Sequence, residues 1–127
     1  MVLSFTESEL AFANQAREFL AAHVQIPPEF DNLDDEILWG RAWQARLAAA
    51  NWVGITWPTA VGGRDATPVQ VALFNMEYAR SGAPQLVNRV GLNLAGPTLL
   101  AHGTAEQRSR WLPSILDASE IWCQLFS

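Results

Sequence analysis

Apolar residues recur at helical spacing through most of the chain. Phe12, Ala16, Phe19 and Leu20 share one face of a segment expected to run from Thr6 to about His23. Its start is strongly marked. Thr6 can cap, Glu9 stands three residues on to close a capping box, and Phe5 and Leu10 occupy the staple positions. Pro27 and Pro28 end it, because proline gives no N–H to a helix ladder and pushes the preceding residue into extended backbone. A second helix is expected from Asp34 to Ala50. Asp34, Asp35 and Glu36 place negative charge at its positive end, and Trp39, Ala42, Trp43, Leu47 and Ala50 form its stripe. Asn51 reads as a left-handed stop. The Gly62-Gly63 pair then marks a backbone conformation or a close approach that a Cβ would block.

The pattern continues in the second half. Thr67 caps a third helix with Pro68 at its first position and Gln70 at its third. Val71, Phe74, Tyr78 and Ala79 lie along it, and Gly82 stops it. Leu86 to Ala101 is an apolar helical stretch interrupted near Gly96-Pro97. Thr104 and Gln107 open a last helix through Trp111, which Pro113 is expected to perturb. Short loops joining amphipathic helices give an all-α bundle. The tail differs. From Ile121 to Phe126, aromatic and branched residues alternate as in a strand, with nothing else in the chain to pair it. An orphan strand that stops at Ser127 is expected to be the cut edge of something longer.

Composition narrows the classes. The 127 residues are 50% hydrophobic and 17% charged, which fits a folded domain and argues against disorder. The net charge of −5 supplies no basic face for phosphates, so a general nucleic-acid binder is excluded. All eight positive charges are Arg, a bias given no functional weight. No basic-then-apolar leader opens the chain and no apolar run is long enough to span a membrane, so a cytoplasmic location is expected. The lone Cys123 forms no internal disulfide and is expected to pack as a core thiol.

Candidate chemistry is sparse. His23 and His102 are far apart and no metal-ligand spacing surrounds either, so no metal site is expected. Gly62-Gly63 lacks the lysine and spacing of a phosphate cradle. Glu77 within an apolar helix is either a solvent-facing residue or a buried carboxylate tying helices together, and a structural role comes before an acid-base one. The Trp residues are core or interface, with Trp122 the one that could lie near a cofactor. No complete catalytic set is present.

Three segments, in order, resemble the N-terminal helical domain of the acyl-CoA dehydrogenase family. They are Gly54-Ile55-Thr56-Trp57-Pro58 with Gly62-Gly63, Gly96-Pro97-Thr98-Leu99-Leu100 running on through His102-Gly103-Thr104 to Trp111-Leu112-Pro113, and Glu120-Ile121-Trp122-Cys123-Gln124-Leu125-Phe126-Ser127. Asp65 stands where a second-turn glycine is common, and Ser119 replaces the glycine usual before Glu120. The resemblance implies a helical domain over residues 1–118 and, at 119–127, the start of a middle β-domain that would continue Glu-Pro-x-x-Gly-Ser-Asp. It places the catalytic base in a C-terminal part absent from these residues, so no catalytic residue is expected here.

The resemblance further implies FAD, α,β-dehydrogenation of an acyl-CoA thioester, an electron-transfer flavoprotein or similar acceptor, and a homo- or heterotetramer. Gln124, Phe126 and Ser127 would border the flavin, while Leu86, Val87, Val90, Gly91 and Leu94 would line the acyl-chain pocket. The Trp-Cys-Gln form of the last segment is similar to bacterial members, some of which act on bulky or polycyclic acyl groups. Two alternatives stand beside this reading: a non-catalytic helical subunit completing a site on another chain, and a plain bundle without a cofactor.

Overall fold

The computed structural model describes residues 4–126, and every regular element among them is helical. The helices gather into two compact units, one formed by residues 4–28 with Ala66–Pro84 and the other by Glu29–Asp65 with 85–126.

In the first unit α1 (Glu7–His23) packs on α3 (Pro68–Ser81). Both start on reciprocal capping boxes, Thr6 with Glu9 and Thr67 with Gln70, so two otherwise orphaned amides are satisfied at each end. Phe12, Ala13, Ala16 and Leu20 are buried along α1, with Phe19 half-buried beside His23. The innermost residues of α3 are Leu73 and Glu77, whereas Val71, Phe74 and Tyr78 are half-buried and Ala79 is exposed. The face of α3 is therefore rotated from the one its apolar residues mark out. Glu77 turns inward because Arg17 meets its charge there.

The second unit contains α2 (Leu33–Ala49), a 3-10 turn at Thr59–Val61, a π-helical segment at Gly91–Ala95, α4 (Gly96–His102) and α5 (Ala105–Asp117). Helix α2 is capped by Asn32 and starts at Leu33, one residue before the expected Asp34, and packs against α5. Asn51 is left-handed at φ 61° and donates to Gly62 O, as a helix-stop asparagine can. Gly62 takes φ 98°, and a Cβ on Gly63 would stand 2.0 Å from the Trp57 carbonyl oxygen. The glycine pair thus answers both needs at once.

Proline acts differently at its two helical positions. Pro97 lies in the first turn of α4 and has no N–H for the ladder; just upstream the helix widens, with the Gly96 N–H reaching Gly91 O. The interruption is a π segment rather than a break. Pro113, expected to disturb the last helix, lies inside α5, which continues to Asp117. Both Pro113 and Ser109 are exposed, so the carbonyl left without its donor is open to water, while Leu112, Ile115 and Leu116 hold the opposite face in the core.

The strand expected over Ile121–Phe126 is not formed among the described residues. A strand exists by pairing, and these residues meet no second strand. Cys123, expected as a packed thiol, is consequently exposed.

Candidate functional site

The stretch predicted to line an acyl chain belongs to the second unit, and through Asn88 it meets the end of α5, from which the segment carrying Gln124 and Phe126 leaves. A helix C-terminus leaves carbonyls without donors. Here α5 closes on Ala118 in the left-handed region, φ 61°, and three side chains take up the freed carbonyls. From α2, Arg41 donates to Ala118 O at 2.9 Å and to Ser119 O at 2.7 Å, while Gln44 Nε2 donates to Ile115 O at 3.0 Å and Leu116 O at 2.9 Å. The third, Asn88, donates from Nδ2 to Ile115 O at 2.9 Å and to Glu120 O at 3.0 Å.

The set is closed. Asn88 Oδ1 accepts the Trp122 N–H at 3.0 Å, and the Asn88 N–H donates to Gln44 Oε1 at 3.3 Å. Gln44 and Asn88 are both 0% exposed, and no buried side-chain nitrogen or oxygen among the described residues lacks a partner. A buried amide left unsatisfied would cost about 1–3 kcal/mol, so these bonds determine where the chain goes after α5. On the outer side Arg110 reaches Glu120 Oε1 at 2.6 Å. Hydrogen bonds from Arg110 and then Ser114 hold the Glu120 carboxyl below the usual carboxylate range. The Trp122 ring stands edge-on to Trp111, with centroids 6.1 Å apart at 87°.

Among the predicted pocket residues, Leu86, Val87 and Val90 are half-buried, Gly91 is buried and Leu94 is 46% exposed. Val87 seats on α2: a Cβ on Gly40 would come 2.2 Å from Val87 Cγ1. A Cβ on Gly91 would come 2.6 Å from Asn88 Oδ1, so the glycine leaves room for the buried carboxamide. Of the predicted cofactor residues, Gln124 and Phe126 lie in the exposed segment after Trp122, and Ser127 lies outside the described residues. Phe126 is 87% exposed and Leu125 92%.

Sequence reasoning passed over Arg41, Gln44 and Asn88. Gln44 had one visible signal, a polar residue set between Trp43 and Leu47 where the stripe of α2 should be apolar. Trp122, by contrast, falls in the segment singled out for a cofactor.

The family model described as "Acyl-CoA dehydrogenase, N-terminal domain" matches residues 6–119. The chain belongs to the acyl-CoA dehydrogenase family. It is 48% identical over 87 residues to acyl-CoA dehydrogenase IpdE1 of Mycolicibacterium smegmatis, covering 68% of this chain and 22% of that protein. Acyl-CoA dehydrogenase FadE26 of Mycobacterium tuberculosis is 34% identical over 122 residues, 91% of this chain and 30% of that protein.

Among solved structures, the ChsE4-ChsE5 complex from Mycobacterium tuberculosis matches with a TM-score of 0.67 at 24% identity, over 92% of this chain and 29% of that one. The Tcur3481-Tcur3483 steroid ACAD matches with a TM-score of 0.66 at 24% identity, over 95% of this chain and 32% of that one. At that identity the likeness shows the fold. The chain spans less than a third of the length of each of these four proteins. No helix among the described residues is long and apolar enough to cross a membrane.

Proposed function

We propose that this domain supplies the helical wall of an acyl-chain pocket and one edge of an FAD site in an enzyme that dehydrogenates acyl-CoA thioesters between Cα and Cβ. The observation that carries the reading is the exit from α5. The family match ends at residue 119, and just beyond it a buried polar cluster fixes the backbone at Trp122 and leaves residues 123–126 exposed.

The residues present fit a flavin. Among the described residues no hydrogen bond engages the main chain of residues 123–126, and these main-chain amides and carbonyls are the donors and acceptors that the pyrimidine edge of an isoalloxazine takes. When bound, the flavin supplies a two-electron acceptor. This chain's part is to hold main-chain donors where negative charge develops on reduction, a fixed arrangement that needs no reorganisation during reaction. Gln124, Phe126 and Ser127 are the residues proposed to do so. Leu86, Val87, Val90, Gly91 and Leu94 are proposed to exclude water from the acyl chain and hold it by apolar contact. The base that removes the α-proton is assigned to polypeptide beyond these residues, with an electron-transfer flavoprotein or similar protein as the acceptor. The location proposed for the enzyme is the cytoplasm.

An anaerobic assay with an acyl-CoA and an artificial electron acceptor tests this assignment. The 127-residue chain alone should give no turnover, and adding polypeptide that carries the remaining family domains should restore it. Turnover by the chain alone would overturn the placement of the base.

A second reading is favoured by one observation: two structural neighbours are described as two-chain assemblies, ChsE4-ChsE5 and Tcur3481-Tcur3483. On this reading the chain is a helical subunit that completes a site on a different polypeptide within a heterotetramer, the first reading being satisfied by a homotetramer. Copurification of an unlike chain bearing the flavin would support the heteromeric form, and a flavin-bearing assembly of one chain type would exclude it. The steroid named for one neighbour makes a bulky acyl-CoA the first substrate to try against a straight-chain one.

A further inference from the structure

One side chain joins the two groups of predicted residues without belonging to either. Asn88 lies between Val87 and Val90 in the pocket stretch, and its carboxamide reaches Glu120 and Trp122 on the way to Gln124 and Phe126. Its two N–H groups point at the Ile115 and Glu120 carbonyls while its oxygen receives the Trp122 amide. Two donors and an acceptor on one short planar group describe asparagine and no other residue of that size: aspartate lacks the donors, leucine lacks all three, serine offers one donor. Gln44 holds the Asn88 backbone in place, and Gly91 leaves space for the amide. Beyond Trp122 no protein group among the described residues bonds the main chain as far as residue 126. Among the described residues the bond to Asn88 is therefore the last hydrogen bond that holds that backbone.

We propose that Asn88 is a positioning residue for the flavin edge: its carboxamide sets the register in which the main chain of residues 123–126 is presented to the ring. This rests on the reading given under Proposed function. The direction of a segment follows from its last anchored peptide, and a shift of one residue would exchange the amides and carbonyls that meet the flavin. Asn88 acts through Trp122 and need not touch the flavin.

Asn88→Asp keeps the size but replaces both donors with a second carboxylate oxygen, which faces the Ile115 and Glu120 carbonyls and is repelled by them, drawing Oδ1 away from Trp122. Amide hydrogen exchange, resolved residue by residue on the 127-residue chain, should show the Trp122 N–H exchanging about tenfold faster or more, with amides in the middle of α2 and α5 unchanged. Trp122→Pro removes the bonded N–H from the other side. It should lower backbone order at Glu120 and Ile121 as Asn88→Asp does, whereas Trp122→Phe, which keeps the N–H, should not. In the flavin-loaded enzyme Asn88→Asp should shift the flavin absorption spectrum and midpoint potential, which a residue serving stability alone would leave in place.

Unchanged Trp122 exchange, or exchange rising equally through α2 and α5, would overturn the proposal, as would an unaltered flavin potential despite a released Trp122. If the wild-type enzyme holds no flavin while Asn88→Asp still frees the Trp122 amide, it is the functional reading that fails and not the tether.

Discussion

The Arg17 guanidinium grips the Glu77 carboxylate with two hydrogen bonds, Nε to Oε2 at 3.0 Å and Nη2 to Oε1 at 2.9 Å. Arg17 belongs to α1 and Glu77 to α3, so the pair fastens the two helices of the first unit, and Arg80 adds a weaker contact at 3.4 Å. The Glu77 side chain is 7% exposed but that of Arg17 is 57% exposed, so water screens half of the pair. The hydrogen bond from Arg17 still outweighs burial and holds the Glu77 carboxyl below its usual range.

A depressed carboxyl stabilises the fold above its unfolded pKa, about 4.3, and that contribution is lost as pH falls through the folded value. Arg17 is shifted upward by the same bond, so its share disappears only in strong alkali. Glu77→Gln should therefore lower stability at neutral pH by about 1–3 kcal/mol, less than for a fully buried pair, with the difference from wild type narrowing below about pH 4. Urea titrations at neutral and acid pH check this. A constant gap across that range would contradict it.

Gly63 should tolerate no side chain. Its hypothetical Cβ stands 2.0 Å from one backbone atom of Trp57 and 2.4 Å from the next, and backbone yields less readily than a rotamer. Gly63→Ala is expected to cost about 3 kcal/mol or more in denaturant unfolding. A loss below about 0.5 kcal/mol, the range of ordinary surface substitutions, would show that the turn rearranges freely.

Gly40 and Val87 should be energetically coupled. Alanine at position 40 improves helix propensity by about 1 kcal/mol but collides with Val87 Cγ1 at 2.2 Å, and overpacking typically costs about 1–3 kcal/mol. Gly40→Ala alone should destabilise, and Gly40→Ala with Val87→Ala should recover part of the loss. A double-mutant cycle should give a coupling of about 1 kcal/mol or more, whereas additive effects would detach Val87 from α2.

Asn51 serves twice, by tolerating φ 61° and by donating to Gly62 O at 3.1 Å. Asn51→Gly keeps the first and loses the second, at about 1 kcal/mol. Asn51→Ala loses both and should cost about 1–2 kcal/mol more. Thermal melts of the three proteins should rank Asn, Gly, Ala. Equal melting of Gly and Ala would remove the left-handed constraint from the explanation.

What could be read from sequence was what neighbours decide. Thr6 with Glu9, Thr67 with Gln70 and Thr104 with Gln107 all form reciprocal caps, because each box closes within one turn. The stop at Asn51 and the crowding at Gly63 are equally local. Pro113 misled because its effect depends on whether the freed carbonyl meets water, which burial decides and sequence does not display. The cluster at the candidate site was hidden for a related reason. Gln44 meets residues 71 and 72 positions away, and Asn88 meets one 34 positions away, so no periodicity could link them. The segment from Ile121 to Phe126 alternates like a strand, but alternation shows only readiness to pair.

The most direct measurement is the visible absorbance of bound flavin on anaerobic addition of an acyl-CoA, made on this chain alone, on polypeptide carrying the remaining family domains, and on the two assembled. Retained flavin and its bleaching by acyl-CoA are expected only in the assembly. Bleaching with this chain alone, or equal retention and bleaching when it is left out, would contradict the claim that these helices and the segment after α5 form one side of a shared flavin and acyl-CoA site.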